Sequence, residues 1–102
     1  MMSHTERAGR YCTEAAELVT SERAKTHGDF IVQHERAAEM ISAYLRAKYG
    51  FQHDLTASDV LRFLIDVKVS RAMTGTAFSD DHGRDCVGYE ALWAVAVEAE
   101  RT

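Results

Sequence analysis

The chain contains no proline, and glycines divide it into four stretches whose apolar residues recur at helical spacing. Proline is the strongest helix breaker, because it lacks the backbone N–H that the helical hydrogen-bond ladder needs. Frequent alanine adds the residue with the highest helix propensity. The sequence therefore predicts an all-α protein in which four helices, joined by short connections, form a compact, largely antiparallel bundle.

Length and composition favour one globular domain over residues 1–102. One hydrophobic core can stabilise 102 residues, and 46% hydrophobic with 27% charged residues is typical of folded chains. The formal net charge of −4 argues against binding of duplex nucleic acid, which requires clustered Lys and Arg. No apolar run approaches the roughly 18 residues of a membrane span, and no signal-peptide core is present. We therefore expect a cytoplasmic protein that does not bind membranes.

Capping residues and apolar spacing predict where the helices begin and end. The predicted helices span residues 5–25, 30–49, 57–73 and 80–100. The third has the clearest start, with Thr56 as N-cap and Asp59 three residues later as its capping-box partner. Asp29 is expected to cap the second helix and Gly50 to end it. Ser79 or the residue after it is expected to cap the fourth.

Two cations interrupt the apolar face of the third helix. On a helical wheel Lys68 and Arg71 lie on the side of Leu61 and Leu64, where an amphipathic helix carries apolar residues. A buried cation without a partner costs several kcal/mol at least. Each of the two must therefore reach a carboxylate, a bound anion or water.

The fourth helix offers a matching acid on its apolar side. Asp85 shares that side with Tyr89, and His82 lies on the preceding turn. In one interpretation, Asp85 pairs with Lys68 or Arg71 inside the bundle. In the other, these five residues form a ligand pocket, since Arg and Lys bind phosphate and Tyr provides a ring face with a polar tip.

The turn before the second helix is another candidate anion site. Arg23, Lys25 and His27 precede Gly28 and a helix N-terminus, whose free N–H groups favour anions. A helix–helix turn with solvated charges explains the same residues. The sequence leaves both interpretations open.

Three segments together resemble a known kind of domain. They are Arg23-Ala-Lys-Thr-His27-Gly28-Asp29, Asp66-Val-Lys68-Val-Ser-Arg71 and Asp81-His82-Gly-Arg-Asp85-Cys-Val-Gly88-Tyr89. In this order they resemble the small helical domains of unknown function that many phages and prophages encode, over roughly residues 14–96. The resemblance implies a phage-related, cytoplasmic origin and a fold similar to the MazG-like all-α nucleotide pyrophosphohydrolases.

This resemblance also implies an alternative metal site. MazG-like enzymes hold Mg²⁺ between a Glu-x-x-Glu pair on one helix and a Glu-x-x-Asp pair on the next, as a hard cation requires. Glu14 and Glu17 have the first spacing, and Asp85 is the candidate for a further ligand. No Glu-x-x-Asp pair follows, so the metal site that the resemblance implies is incomplete.

We therefore expect a binding protein that sequesters a small phosphorylated nucleotide or nucleotide-derived signal, without a metal cofactor. The candidate ligand-binding residues are Arg23, Lys25, His27, Lys68, Arg71, His82, Asp85 and Tyr89. One alternative is a Mg²⁺-dependent nucleotide pyrophosphohydrolase that uses the acidic residues named above. Another is a structural or interaction protein in which the charges of the third and fourth helices only specify the core.

Self-association is expected under each of these interpretations. The fourth helix carries a second apolar surface, formed by Val87, Ala91, Ala94 and Val95, where an isolated bundle would be polar. The sequence predicts at least a dimer.

Overall fold

The computed structural model describes residues 1–21, 29–75 and 77–101, and within these ranges it contains four α-helices and no strand. They are α1 (His4–Val19), α2 (Phe30–Tyr49), α3 (Ala57–Thr74) and α4 (Asp80–Glu100). The predicted all-α class is thus confirmed for the described ranges, and α2, α3 and α4 agree with prediction to within one residue. α1 ends earlier than predicted, and residues 22–25 of the predicted helix lie outside the described ranges. No described helix is both long and apolar enough to cross a membrane.

Local capping interactions account for the helix ends. The Thr56 N–H donates to Asp59 Oδ2 at 2.9 Å, in the predicted capping box of α3. Asp29 Oδ1 accepts the N–H of Ile31 at 2.8 Å and starts α2. Gly50 ends α2 with a φ of 68°, a left-handed conformation that glycine adopts without steric cost. The cap predictions for α2 and α3 are therefore confirmed.

α3 and α4 pack together as an antiparallel pair. Arg62 Nη2 lies 2.9 Å from Glu90 Oε1, and Lys68 Nζ lies 3.3 Å from Asp85 Oδ2. Residues later in α3 thus lie beside residues earlier in α4, as expected for antiparallel helices. As a result, the C-terminal turns of α3 lie beside the N-terminal turns of α4.

α1 packs against α4 in the parallel direction. The Tyr11 hydroxyl donates to Asp80 Oδ1 at 3.3 Å, whereas Val19 lies beside Gly88, about two turns further along both helices. Gly88 is buried and has no side chain, so Ala15 and Val19 approach the α4 backbone closely. This parallel pair differs from the expected antiparallel order. Since α2 packs mainly on α3, the helices follow one another in space as α1, α4, α3 and α2.

The core lies between α3 and α4. Leu61 and Ile65 are the largest fully buried side chains of the described ranges, with 0% and 1% exposure. Ala57 and Ala96 join Leu61 in one buried cluster. Tyr89, Leu92 and Trp93 are half-buried and pack against that cluster. The core contains few large side chains, so each of them contributes a large share of the buried apolar surface.

The buried face of α2 is rotated from the predicted one. The apolar spacing of this helix predicts that Phe30, Ala37, Ile41, Tyr44 and Leu45 face inward. The structure buries Ala38 and Ser42 most deeply and leaves Tyr44 56% exposed. At the connection to α3, the Leu55 N–H donates to Ser42 Oγ at 2.9 Å. That hydrogen bond satisfies a polar side chain on the buried face, which apolar periodicity alone does not predict.

The C-terminus of α4 meets the N-terminus of α3. The Ser58 N–H donates to Glu100 Oε1 at 3.1 Å. Partial burial raises the pKa of the Glu100 carboxyl, but hydrogen bonds from Ser58 and from the Thr56 side chain together outweigh it and hold the pKa below its usual 4.5. A carboxylate at this position also interacts favourably with the dipole of α3.

Replacing Leu61 by alanine should lower the free energy of unfolding by about 2–5 kcal/mol, because a fully buried leucine leaves a cavity. Chemical denaturation of wild type and variant measures the difference. Leu18→Ala is a matched control on α1, where the side chain is 47% exposed; its effect should stay within about 0.5–1 kcal/mol. Equal losses in both variants would contradict a core centred on Leu61.

Candidate functional site

A pocket of about 270 Å³ opens where the end of α3 lies beside the start of α4. Its lining residues are Lys68, Arg71, Ser79, Asp81, His82 and Asp85. Four of them are residues that the sequence predicted as ligand-binding. Antiparallel packing brings them together, although they are separated by up to 17 positions in the chain.

Lys68 is held by two groups from α4. Its Nζ lies 3.3 Å from Asp85 Oδ2 and 5.2 Å from the centre of the Tyr89 ring. The Lys68 and Asp85 side chains are 25% and 35% exposed, so this ion pair is only partly shielded from water. Tyr89 belongs to the packing around the core cluster, and it contacts Lys68 without lining the pocket. It therefore orients the cation through a cation–π interaction.

Arg71 has a different environment from Lys68. The sequence placed both cations on the apolar face of α3, but Arg71 is exposed. Arg71 lies in the last turn of α3, beyond the packed core, where its charge suits the C-terminal dipole. Within the part of the chain that the structure describes, no carboxylate lies within ion-pair distance of Arg71. Its guanidinium donors are thus available at the pocket wall.

His82 and Ser79 form the start of α4. The Ser79 N–H donates to His82 Nδ1 at 3.2 Å, within a capping box at the N-cap Ser79. Because Nδ1 accepts this hydrogen bond, a neutral imidazole carries its proton on Nε2. The His82 ring also lies 5.7 Å from the ring of Phe78. Nε2 is therefore the nitrogen that remains for a hydrogen bond to a ligand.

The pocket includes two residues that the sequence did not identify as site residues. Ser79 was recognised only as a helix cap, and Asp81 only within the resemblance segment. Both line the pocket because they lie in the first turn of α4, next to the last turn of α3. The antiparallel order of these helices was the available signal, since it places the start of α4 beside Arg71.

Asp81 of α4 and Glu14 of α1 are bonded to arginines. Asp81 Oδ1 accepts a hydrogen bond from Arg84 Nη2, and Arg84 Nη1 lies 3.8 Å from Glu14 Oε2. Glu14 Oε1 also accepts a hydrogen bond from Arg10 Nε at 3.0 Å. This network connects α1 with α4. Within it, the Asp81 carboxylate pairs with Arg84, which does not line the pocket.

The alternative metal ligands do not meet in this arrangement. Glu14 is bonded to two arginines, Glu17 is exposed on α1, and Asp85 is bonded to Lys68. Among the described residues, no group of three His, Cys, Asp or Glu side chains is close enough to hold a metal ion.

The remaining candidates come from the turn before α2. Arg23, Lys25 and His27 lie outside the described residues, so their position relative to the pocket stays a prediction. Asp29, the last residue of that turn, caps α2 and does not line the pocket.

The fold and the site define a four-helix, all-α protein with a charged pocket between its last two helices. The chain belongs to the family named domain of unknown function DUF6378, whose profile matches residues 10–96. Neither the curated proteins nor the solved structures include a significant match to it. Membership of this family assigns no activity to the chain.

A double-mutant cycle should detect the Lys68–Asp85 pair. Lys68→Ala and Asp85→Ala are expected to couple by about 0.2–1 kcal/mol, because both side chains are partly exposed and solvent screens their attraction. The free energies of unfolding of wild type, single and double variants give this coupling. The matched cycle of Arg71→Ala with Asp85→Ala should show coupling near zero. Equal coupling in the two cycles would contradict the distinction drawn between the cations.

Proposed function

We propose that this protein binds a small phosphorylated nucleotide, or a signal derived from one, in the pocket between α3 and α4. Arg71 carries the proposal, because it is exposed at the pocket wall and no described carboxylate pairs with it. A guanidinium binds a phosphate through two parallel N–H···O bonds. The N-terminus of α4, which Ser79 caps, adds the positive end of a helix dipole.

A purely structural role for the charged residues is less well supported. Such a role requires Lys68, Arg71 and Asp85 to bond with one another and to leave no adjoining pocket. Of these three, the structure shows a bond between Lys68 and Asp85 alone within the described part of the chain, and a pocket adjoins them. The free guanidinium therefore favours ligand binding over core specification.

Binding without hydrolysis is the form of the proposal that the acidic residues favour. Glu14 and Asp85 are already bonded to cations, and the described residues offer no three-ligand metal site. Mg²⁺-dependent hydrolysis stays an alternative prediction. A phage-encoded origin, a MazG-like relationship and a cytoplasmic location belong to the same proposal, in which a phage would benefit by sequestering a host nucleotide signal.

Calorimetry against a panel of nucleotides and cyclic dinucleotides tests the binding function. We expect Arg71→Ala and Lys68→Ala to weaken binding of the best ligand at least about tenfold, because each removes a phosphate contact. Arg46→Ala is the matched control: it removes an exposed arginine of α2 that pairs with Asp54. Its dissociation constant should equal that of wild type.

Absence of binding by wild type, or undiminished binding by Arg71→Ala, would sink the proposal. Release of phosphate or pyrophosphate that disappears with EDTA would instead favour the hydrolytic alternative.

We also propose that the chain forms at least a dimer. A monomer of this size is expected to expose roughly 5,800 Å². The chain exposes 7587 Å². The chain therefore leaves more surface uncovered than a compact monomer of its size. On the predicted apolar surface of α4, Ala91, Ala94 and Val95 are exposed and Val87 is half-buried.

Sedimentation equilibrium at micromolar concentration should give a mass of at least two chains. Val95→Glu should lower that mass, because it places a charge in the proposed interface. Val32→Glu on α2 is the matched control, since Val32 is 46% exposed and Val95 45%; it should leave the mass unchanged. A monomeric wild type would refute the dimer, and equal dissociation by both variants would refute its assignment to α4.

A further inference from the structure

We infer that the pocket selects ligands with a single phosphate group, and that Asp85 is the residue that disfavours polyphosphates. This inference rests on the proposed nucleotide binding at the same pocket, and it names the class of nucleotide that the pocket accepts.

The charges of the lining residues are nearly balanced. The lining contains two cations, Lys68 and Arg71, and two carboxylates, Asp81 and Asp85. Asp85 is bonded to Lys68, and Asp81 is bonded to Arg84 from outside the pocket. Arg71 is therefore the one lining cation whose charge no described carboxylate offsets. One unpaired guanidinium can bind one phosphate group through two parallel N–H···O bonds.

A triphosphate does not match this charge distribution. At neutral pH it carries several negative charges, and a pocket of this size would bring the additional phosphates close to the Asp81 and Asp85 carboxylates. Repulsion between like charges a few ångströms apart weakens binding substantially, even at the intermediate dielectric of a protein surface. The net charge of −4 on the whole chain acts in the same direction.

The size of the pocket favours the same class of ligand. Its volume of about 270 Å³ is below the roughly 300–1,000 Å³ of sites for drug-sized molecules. Such a volume accommodates a phosphate and its adjoining sugar, whereas the further phosphates of a triphosphate would have to share it with the Asp81 and Asp85 carboxylates. The Asp85 side chain is 35% exposed, so its carboxylate has lone pairs that can accept a hydrogen bond from a sugar hydroxyl.

Asp85 controls the charge balance because it holds Lys68. An uncharged group at position 85 would release the Lys68 ammonium from its ion pair and would leave the lining residues with a net positive charge. The same change removes a carboxylate that repels additional phosphates. Both effects improve the binding of polyphosphates more than the binding of monophosphates.

Calorimetry in the absence of Mg²⁺ tests the inference with the four common nucleoside monophosphates and their triphosphates. Wild type should bind each recognised monophosphate at least about tenfold more tightly than its triphosphate. Asp85→Asn keeps the shape of the side chain and removes its charge. It should lower the ratio of the triphosphate dissociation constant to the monophosphate dissociation constant at least about fivefold. Asp66→Asn is the matched control: it makes the same charge change at a site that is 70% exposed and does not line the pocket. Its ratio should equal that of wild type.

The outcomes separate the inference from the proposed function. A triphosphate that binds wild type as tightly as its monophosphate overturns the selectivity and leaves nucleotide binding in place. An unchanged ratio in folded Asp85→Asn overturns the role of Asp85. Binding of no nucleotide overturns the proposed function together with the inference. If circular dichroism shows that Asp85→Asn is unfolded, Lys68→Met tests the role of Asp85 instead, because it leaves the Asp85 carboxylate without its cation. A higher ratio of the triphosphate to the monophosphate dissociation constant than in wild type supports that role. An unchanged ratio overturns it.

Discussion

The antiparallel packing of α3 on α4 determines where each charged group of the pocket lies. Leu61 is completely buried in this packing, and the Arg62–Glu90 contact of 2.9 Å follows directly after it on α3. The same register places Lys68 opposite Asp85. Arg71 lies three residues further along α3, in its last turn and beside the first turn of α4. Among the described residues, a single packing arrangement therefore creates one cation that is paired with a carboxylate and one that is not, less than one turn of helix apart.

The Lys68–Asp85 pair is better understood as a means of charge balance than as a source of stability. Partial desolvation of two ions offsets most of their attraction, and water screens what remains of it at this degree of exposure. The pair nevertheless keeps the ammonium in one position, with the ring of Tyr89 on another side of it. A group held at small net free energy can exchange its partner for a ligand at small cost. The proposed ligand binding would require such an exchange of the Lys68–Asp85 pair.

Sequence alone predicted the features that depend on near neighbours in the chain. Thr56 with Asp59, and Gly50 after α2, define helix ends through contacts that span a few residues, and these predictions are confirmed. The shared face of Lys68 and Arg71 also follows from helical periodicity. The exposure of Arg71 and the parallel direction of α1 depend on which helices are neighbours and on where their packing ends. Periodicity contains no such information, because every helix of similar amphipathicity offers the same pattern.

The two proposals of binding and self-association use different ends of α4. Val95 lies ten residues after Asp85, which corresponds to about 15 Å along a helix axis. A partner that covers the C-terminal half of α4 would therefore leave the pocket at its N-terminal end accessible. The small core supports the need for such a partner, since Leu61 and Ile65 are the only large side chains fully buried in the described ranges. The proposed association would add buried apolar surface without using the guanidinium of Arg71, which no described carboxylate pairs with, so it is compatible with the proposed ligand binding.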